Sequence, residues 1–141
     1  MAAPPPVAPQ QPFDWPDFLT LADELSRRPE EACLRTSISR AYYYIYHLGR
    51  QRVLDNGFIV NHYGDSHRQV WEKFENDPTP DCKKLAILAN QLKDKRQRAD
   101  YDKPYVRIAD EFPAVIEIAR KFATDLARLN ARLPVNRGVH A

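Results

Sequence analysis

The sequence predicts an all-α protein, an up-and-down bundle of four to five helices. Three observations point to it. Apolar residues recur at three- and four-residue intervals through most of the chain between Trp15 and Leu129. Proline and Asn-Gly breaks fall between the periodic stretches or in their first turns. The one segment with any strand character, GFIVNHY at 57–63, is short and reads as loop. Short connections favour antiparallel neighbours.

The elements follow in order. Asp14 is positioned to cap a first helix with Pro16 in its first turn, and Trp15, Phe18, Ala22 and Leu25 share a face. Pro29 opens a second helix that runs to about Leu54, where Asn56-Gly57 ends it. Ser66 is the expected cap of a short third helix with Val70, Trp71 and Phe74 on one side. The DPTP segment at 77–80 breaks the chain. A fourth helix starts near Asp81, carries Leu85, Leu88, Ala89 and Leu92 as a stripe, and is broken by Pro104. A fifth starts near Asp110 and tolerates Pro113 in its first turn. Its stripe is Phe112, Val115, Ile116, Ala119, Phe122, Ala123, Leu126 and Leu129.

The chain of 141 residues is enough for one core, assigned to residues 13–133. Residues 1–12 hold five of the twelve prolines and no charged side chain, so a flexible, partly polyproline arm is expected. Residues 134–141 read as a frayed tail. A net charge of +2 is too mild to imply nucleic acid by itself, so the distribution of charge matters more. Cys33 and Cys82 have no zinc spacing and read as small core thiols in a reducing cytoplasm, with a disulfide as the alternative. No apolar run approaches the ~20 residues of a membrane span, and the N-terminus lacks a signal-peptide pattern, so a cytoplasmic protein with no membrane partner is expected. His47, His62, His67, His140 and the acids form no ligand spacing, and the four glycines are too scattered to cradle phosphate. No metal and no cofactor are therefore expected.

Two segments exceed what a generic bundle needs: SRAYYYIYH at 39–47 and KRQRADYD at 95–102. On the second helix Leu34, Ile38, Ala41, Ile45 and Leu48 make a core stripe, Tyr42 and Tyr46 a neighbouring one, and Arg40, Tyr43, His47 and Arg50 a third. Such a helix is central in its own bundle or part of a subunit interface. The third stripe has two readings. It is a basic-aromatic surface for RNA or a nucleotide, or a polar seam in which Arg40 is held by an acid of another helix. On the fourth helix, continuing the apolar stripe by 3.6 residues per turn puts Arg96 on the core side. A charge there must be paired. Asp100, four residues on, is the nearest partner, and Asp100 reaching across to Arg40 is the other option. Lys93, Lys95, Arg96 and Arg98 form a basic cluster, suited either to the helix dipole or to phosphate.

The two segments resemble the HEPN superfamily, in particular small prokaryotic members with an S-R-A-Y-Y-x-x-F-H helix and a later R-x-x-A-D-Y segment. Ser39, Arg40, Ala41, Tyr42, Tyr43, Tyr46 and His47 match the first; Arg96, Ala99, Asp100 and Tyr101 match the second. His67, opening HRQVWEKF, resembles the start of the family's short middle helix. The resemblance covers roughly residues 17–130. It implies a HEPN-like bundle, commonly a homodimer, in a toxin–antitoxin or defence-type system. Many members are metal-independent ribonucleases that use an Arg and a His with four to six residues between them. This chain keeps Arg96 but carries Tyr101 where the His belongs. The expectation is therefore a protein that binds RNA or a nucleotide without the usual ribonuclease motif. Its alternatives are a dimerisation or partner-protein module, with a nucleotidyltransferase-type protein as one partner, and a ribonuclease with a divergent site. Arg96, Tyr101 and His47 are the catalytic candidates of that last reading. Arg40, Tyr43, Arg98 and Asp100 are the ligand-binding candidates.

Overall fold

A computed structural model describes residues 3–6 and 11–129. Its regular structure is five helices: α1 (Pro16–Leu25), α2 (Glu31–Asp55), α3 (Ser66–Asn76), α4 (Pro80–Tyr101) and α5 (Ile108–Arg128), with no strand among the described residues. The chain is an all-α helical bundle, as its periodicity requires. The segment 57–63 is loop, and its first residue Gly57 and the following Gly64 take positive φ angles of 88° and 79°. The residues of the 1–12 arm other than 3–6, 11 and 12, and the whole 134–141 tail, lie outside the described residues.

The 25-residue helix α2 is the hub, packing against α1, α3, α4 and α5. Ile38, Ala41, Tyr42, Tyr44, Ile45, Tyr46 and Val53 are all buried on it, so apolar and aromatic groups bury most of its circumference. Three polar devices seat the neighbours. Ser37 Oγ donates to the Ala22 carbonyl of α1 at 2.6 Å, inside the core. Arg35 donates to the Ala99 and Lys103 carbonyls at 3.0 and 2.6 Å, closing the C-terminal end of α4, while its Nε pairs with Glu31 at 3.0 Å. Arg52 donates to the Leu126 carbonyl of α5 at 3.1 Å. The last carbonyls of a helix lack intrahelical donors and carry negative partial charge, so a guanidinium there satisfies both needs.

Helix starts differ in detail from the sequence expectation. The α3 N-cap is Asp65, whose carboxylate accepts from Arg68 N at 3.1 Å, and Ser66 is the first helical residue. Aspartate and serine cap comparably well, so adjacent candidates are separated only by backbone geometry. Trp15, not Asp14, stands at the α1 N-cap, and the Asp14 carboxylate accepts from Trp15 N one position earlier. Helix α5 begins at Ile108, which moves Pro113 into its second turn. Cys82 is fully buried in the core, Cys33 is half-buried with its Sγ 3.3 Å from Glu30, and both are thiols.

Helices α2 and α3 approach closely at Gly49. A Cβ there would stand 2.7 Å from Trp71 Cζ3 and 2.8 Å from Cη2. Trp71 is itself fully buried and edge-on to Phe122 of α5, so the ring has nowhere to move. On helix propensity alone Gly49→Ala would stabilise by up to about 1 kcal/mol. The overlap reverses the sign, and a loss of about 1–3 kcal/mol is expected in urea denaturation. Unchanged or raised stability would show that the contact is looser than described.

Candidate functional site

The residues that carry the site come from α2, α3 and α4. Arg96 occupies the core-facing position of the last turns of α4 and is 7% exposed. Its nearest carboxylate is Asp100, one turn on, at 3.9 Å, which is an ion pair but not a hydrogen bond. Its Nε is buried with no hydrogen-bond partner among the described residues. The guanidinium lies instead against aromatic rings, 5.2 Å from Tyr42, 5.4 Å from Tyr43 and 5.9 Å from Tyr101. Such faces attract a desolvated cation by about 2 kcal/mol or more. That offsets part of what burial costs it.

Arg40, on α2, is half-buried between the rings of Phe18 and Tyr43, at 4.8 and 5.0 Å. Among the described residues no carboxylate stands within ion-pair distance of it. Its Nη2 donates to Ser39 Oγ at 3.3 Å, and Ser39 in turn donates to Asp100 Oδ2 at 3.2 Å. Both expected arrangements of Asp100 are therefore partly present, direct to Arg96 and through Ser39 to Arg40. Two guanidinium groups share one carboxylate, and neither holds it by a hydrogen bond.

The structure brings five of the seven candidate residues together: Arg40, Tyr43, Arg96, Asp100 and Tyr101. Tyr101 is 72% exposed and forms the outer wall. His47 lies at the edge, its ring stacked face to face on Trp15 at 3.4 Å and 6.5 Å from Tyr43. Burial, then Arg50 and Arg40, lower its pKa and keep it uncharged at neutral pH. Arg98 is not part of the cluster. Two residues past Arg96, it faces the other side of α4 and pairs with Glu111 of α5 at 3.1 Å, a carboxylate that also accepts from Tyr105 Oη at 2.6 Å.

A further residue of the cluster, outside the seven sequence candidates, is His67 in the first turn of α3. Its Nδ1 lies 2.7 Å from Tyr42 Oη, and its ring stacks on Tyr46 at 4.0 Å. Trp71 Nε1 donates to the same Tyr42 oxygen at 3.1 Å. Tyr42 thus joins His67 to Arg96, one through its hydroxyl and the other through its ring. The HRQVWEKF segment was the available signal, but nothing in one sequence says against which helix α3 lies. Burial, and then the charge of Arg96, hold the His67 imidazole down at about 4. The described residues contain no group of His, Cys, Asp or Glu able to hold a metal ion. Among the described residues no helix is long and apolar enough to cross a membrane.

No family model, no curated protein and no solved structure matches the chain. What defines the site is its own geometry: a helical bundle with an arginine–tyrosine–histidine cluster at the junction of three helices.

The depressed His67 value has a consequence for stability. Between about pH 4 and 6.5 the unfolded chain binds a proton at this ring that the folded chain does not. Stability should therefore be full above pH 6.5 and fall as the pH drops through this window, with His47 contributing in the same direction. Urea titrations at stepped pH check this: the slope should be positive in wild type and shallower in His67→Gln. A slope unchanged by the substitution would mean the ring titrates normally.

Proposed function

We propose that the protein binds RNA or a nucleotide through its phosphate at the Arg40–Arg96 cluster, and does so without cleaving it. The observation that carries this reading is the charge balance: two guanidinium groups against one carboxylate that hydrogen-bonds neither. A bound oxyanion supplies the missing acceptors, and arginine is well matched to phosphate. Around the cations stand Tyr43, half-buried, and Tyr101, exposed, whose faces suit base stacking as single-stranded RNA requires.

Binding rather than catalysis is supported by the histidines. Proton transfer at an RNA 2′-hydroxyl calls for a group poised near the working pH beside the phosphate. His47 is covered by Trp15, and His67 has its Nδ1 engaged by Tyr42. The resemblance of SRAYYYIYH and KRQRADYD to HEPN proteins is the reason to propose a toxin–antitoxin or defence-type setting for such binding, and a homodimer as its form.

The test is anisotropy of a short fluorescein-labelled oligoribonucleotide across a salt series. Wild type should bind with log–log salt dependence and leave the RNA intact. Arg40→Ala should weaken binding about tenfold and lower the salt slope by about 0.7, the value for one phosphate contact on a single strand. Its thermal unfolding should change little, because Arg40 is half-exposed and has no carboxylate to strand. Equal binding by wild type and Arg40→Ala would reject the site. Cleavage by wild type, lost in Arg96→Lys, would replace binding with catalysis.

A further inference from the structure

His67 has the most narrowly defined hydrogen-bonding state in the cluster. Trp71 Nε1 can only donate, so at 3.1 Å its proton occupies one lone pair of Tyr42 Oη. Tyr42 is fully buried, and burial raises its pKa, so the phenol keeps its proton. That proton has one acceptor among the described residues, His67 Nδ1 at 2.7 Å. If Nδ1 carried the hydrogen instead, the buried phenol O–H would have no acceptor among the described residues, at a cost of about 1–3 kcal/mol. Nδ1 therefore accepts, and the hydrogen of the neutral ring sits on Nε2. The stack on Tyr46 at 4.0 Å and the edge contact with Tyr43 at 5.8 Å fix the ring plane.

The groups facing His67 decide its charge. From α4 come Arg96 and Lys93; from α2 come His47, Tyr42, Tyr43 and Tyr46; at the start of its own helix stands Asp65, which Lys93 approaches at 3.8 Å. The Lys93–Asp65 pair roughly cancels, leaving Arg96 to disfavour a second positive charge. With both histidines neutral, Arg40 and Arg96 against Asp100 leave a single net positive charge.

We propose that His67 is a fixed, uncharged hydrogen-bond donor of the phosphate site, its Nε2–H directed to an oxygen of a singly charged phosphodiester, with Tyr42 and Trp71 as the positioning residues that lock the tautomer. The proposal rests on the reading of Arg40 and Arg96 as phosphate-binding, and adds to it the donor and the ligand's charge. A diester monoanion matches one net positive charge; a terminal monoester dianion exceeds it.

The first measurement uses no ligand, so its failure is distinct from failure of the RNA reading. Nitrogen-15 NMR of the histidine rings should show His67 as the Nε2–H tautomer, unchanged between about pH 5.5 and 7.5. In Tyr42→Phe the ring should become a tautomer mixture. The Nδ1–H tautomer, or a titration midpoint near ~6.5, overturns the lock. The second is anisotropy with a 5′-hydroxyl oligoribonucleotide. His67→Gln, whose amide N–H reaches as far as Nε2–H, should stay within about threefold of wild type, while His67→Ala and the shorter His67→Asn each lose about tenfold, the scale of one hydrogen bond to a charged group. Near-UV circular dichroism checks that each variant folds, and the Gln–Asn contrast stands even if the alanine variant does not. Equal affinities for all three variants overturn the donor role. A nucleoside 5′-monophosphate that competes as well as an equal concentration of dinucleoside monophosphate overturns the diester preference. No RNA binding by wild type overturns the phosphate reading and this proposal together, whatever the tautomer.

Discussion

A guanidinium buried among helices has to be compensated, and in this protein the compensation of Arg96 shapes the centre of the bundle. A full carboxylate partner in hydrogen-bond contact would have closed the matter locally. Asp100 instead stands at 3.9 Å, and Tyr42, Tyr43 and Tyr101 present their rings to the cation. That choice makes α2 rich in tyrosine, since Tyr42 and Tyr43 belong to it. It also makes α3 necessary, because the hydroxyl of the buried Tyr42 then needs partners. Trp71 and His67 supply them, one as donor and the other as acceptor. The polar cluster and the aromatic core are thus one construction rather than a site laid on a scaffold.

The same helix secures the surroundings. Arg35 and Arg52 of α2 each reach a helix C-terminus, those of α4 and α5, and Ser37 ties down α1. By holding the end of α4, Arg35 fixes the turn on which Asp100 and Tyr101 sit. Gly49 lets Trp71 approach closely enough for its N–H to meet Tyr42. Positions with no direct part in the cluster therefore determine its spacing. Packing at that density moves in steps, not by small adjustments.

Much of this was legible from residue spacing. The all-α class, the burial of α2 on several sides and the inward turn of Arg96 follow from a 3.6-residue period. So does the pairing of Arg96 with Asp100 one turn on. What spacing does not carry is the angle at which one helix meets another. His67 reaches Tyr42 only because α3 lies against α2, and Arg98 turns out to serve Glu111 because α5 flanks the opposite side of α4. Arg35 and Arg52 are unremarkable in sequence, since their acceptors are backbone carbonyls that leave no trace in residue identity. His47 is a catalytic candidate by sequence, and Trp15 covers it, a contact between α2 and the residue just ahead of α1.

The most direct measurement is a structure of the protein crystallised with a dinucleoside monophosphate. The charge balance of the cluster predicts the phosphate between Arg40 and Arg96, with hydrogen bonds of about 2.7–2.9 Å from guanidinium N–H to phosphate oxygen. A dinucleotide bound elsewhere on the bundle, with Asp100 closing onto Arg96 to complete the pair by itself, would contradict it.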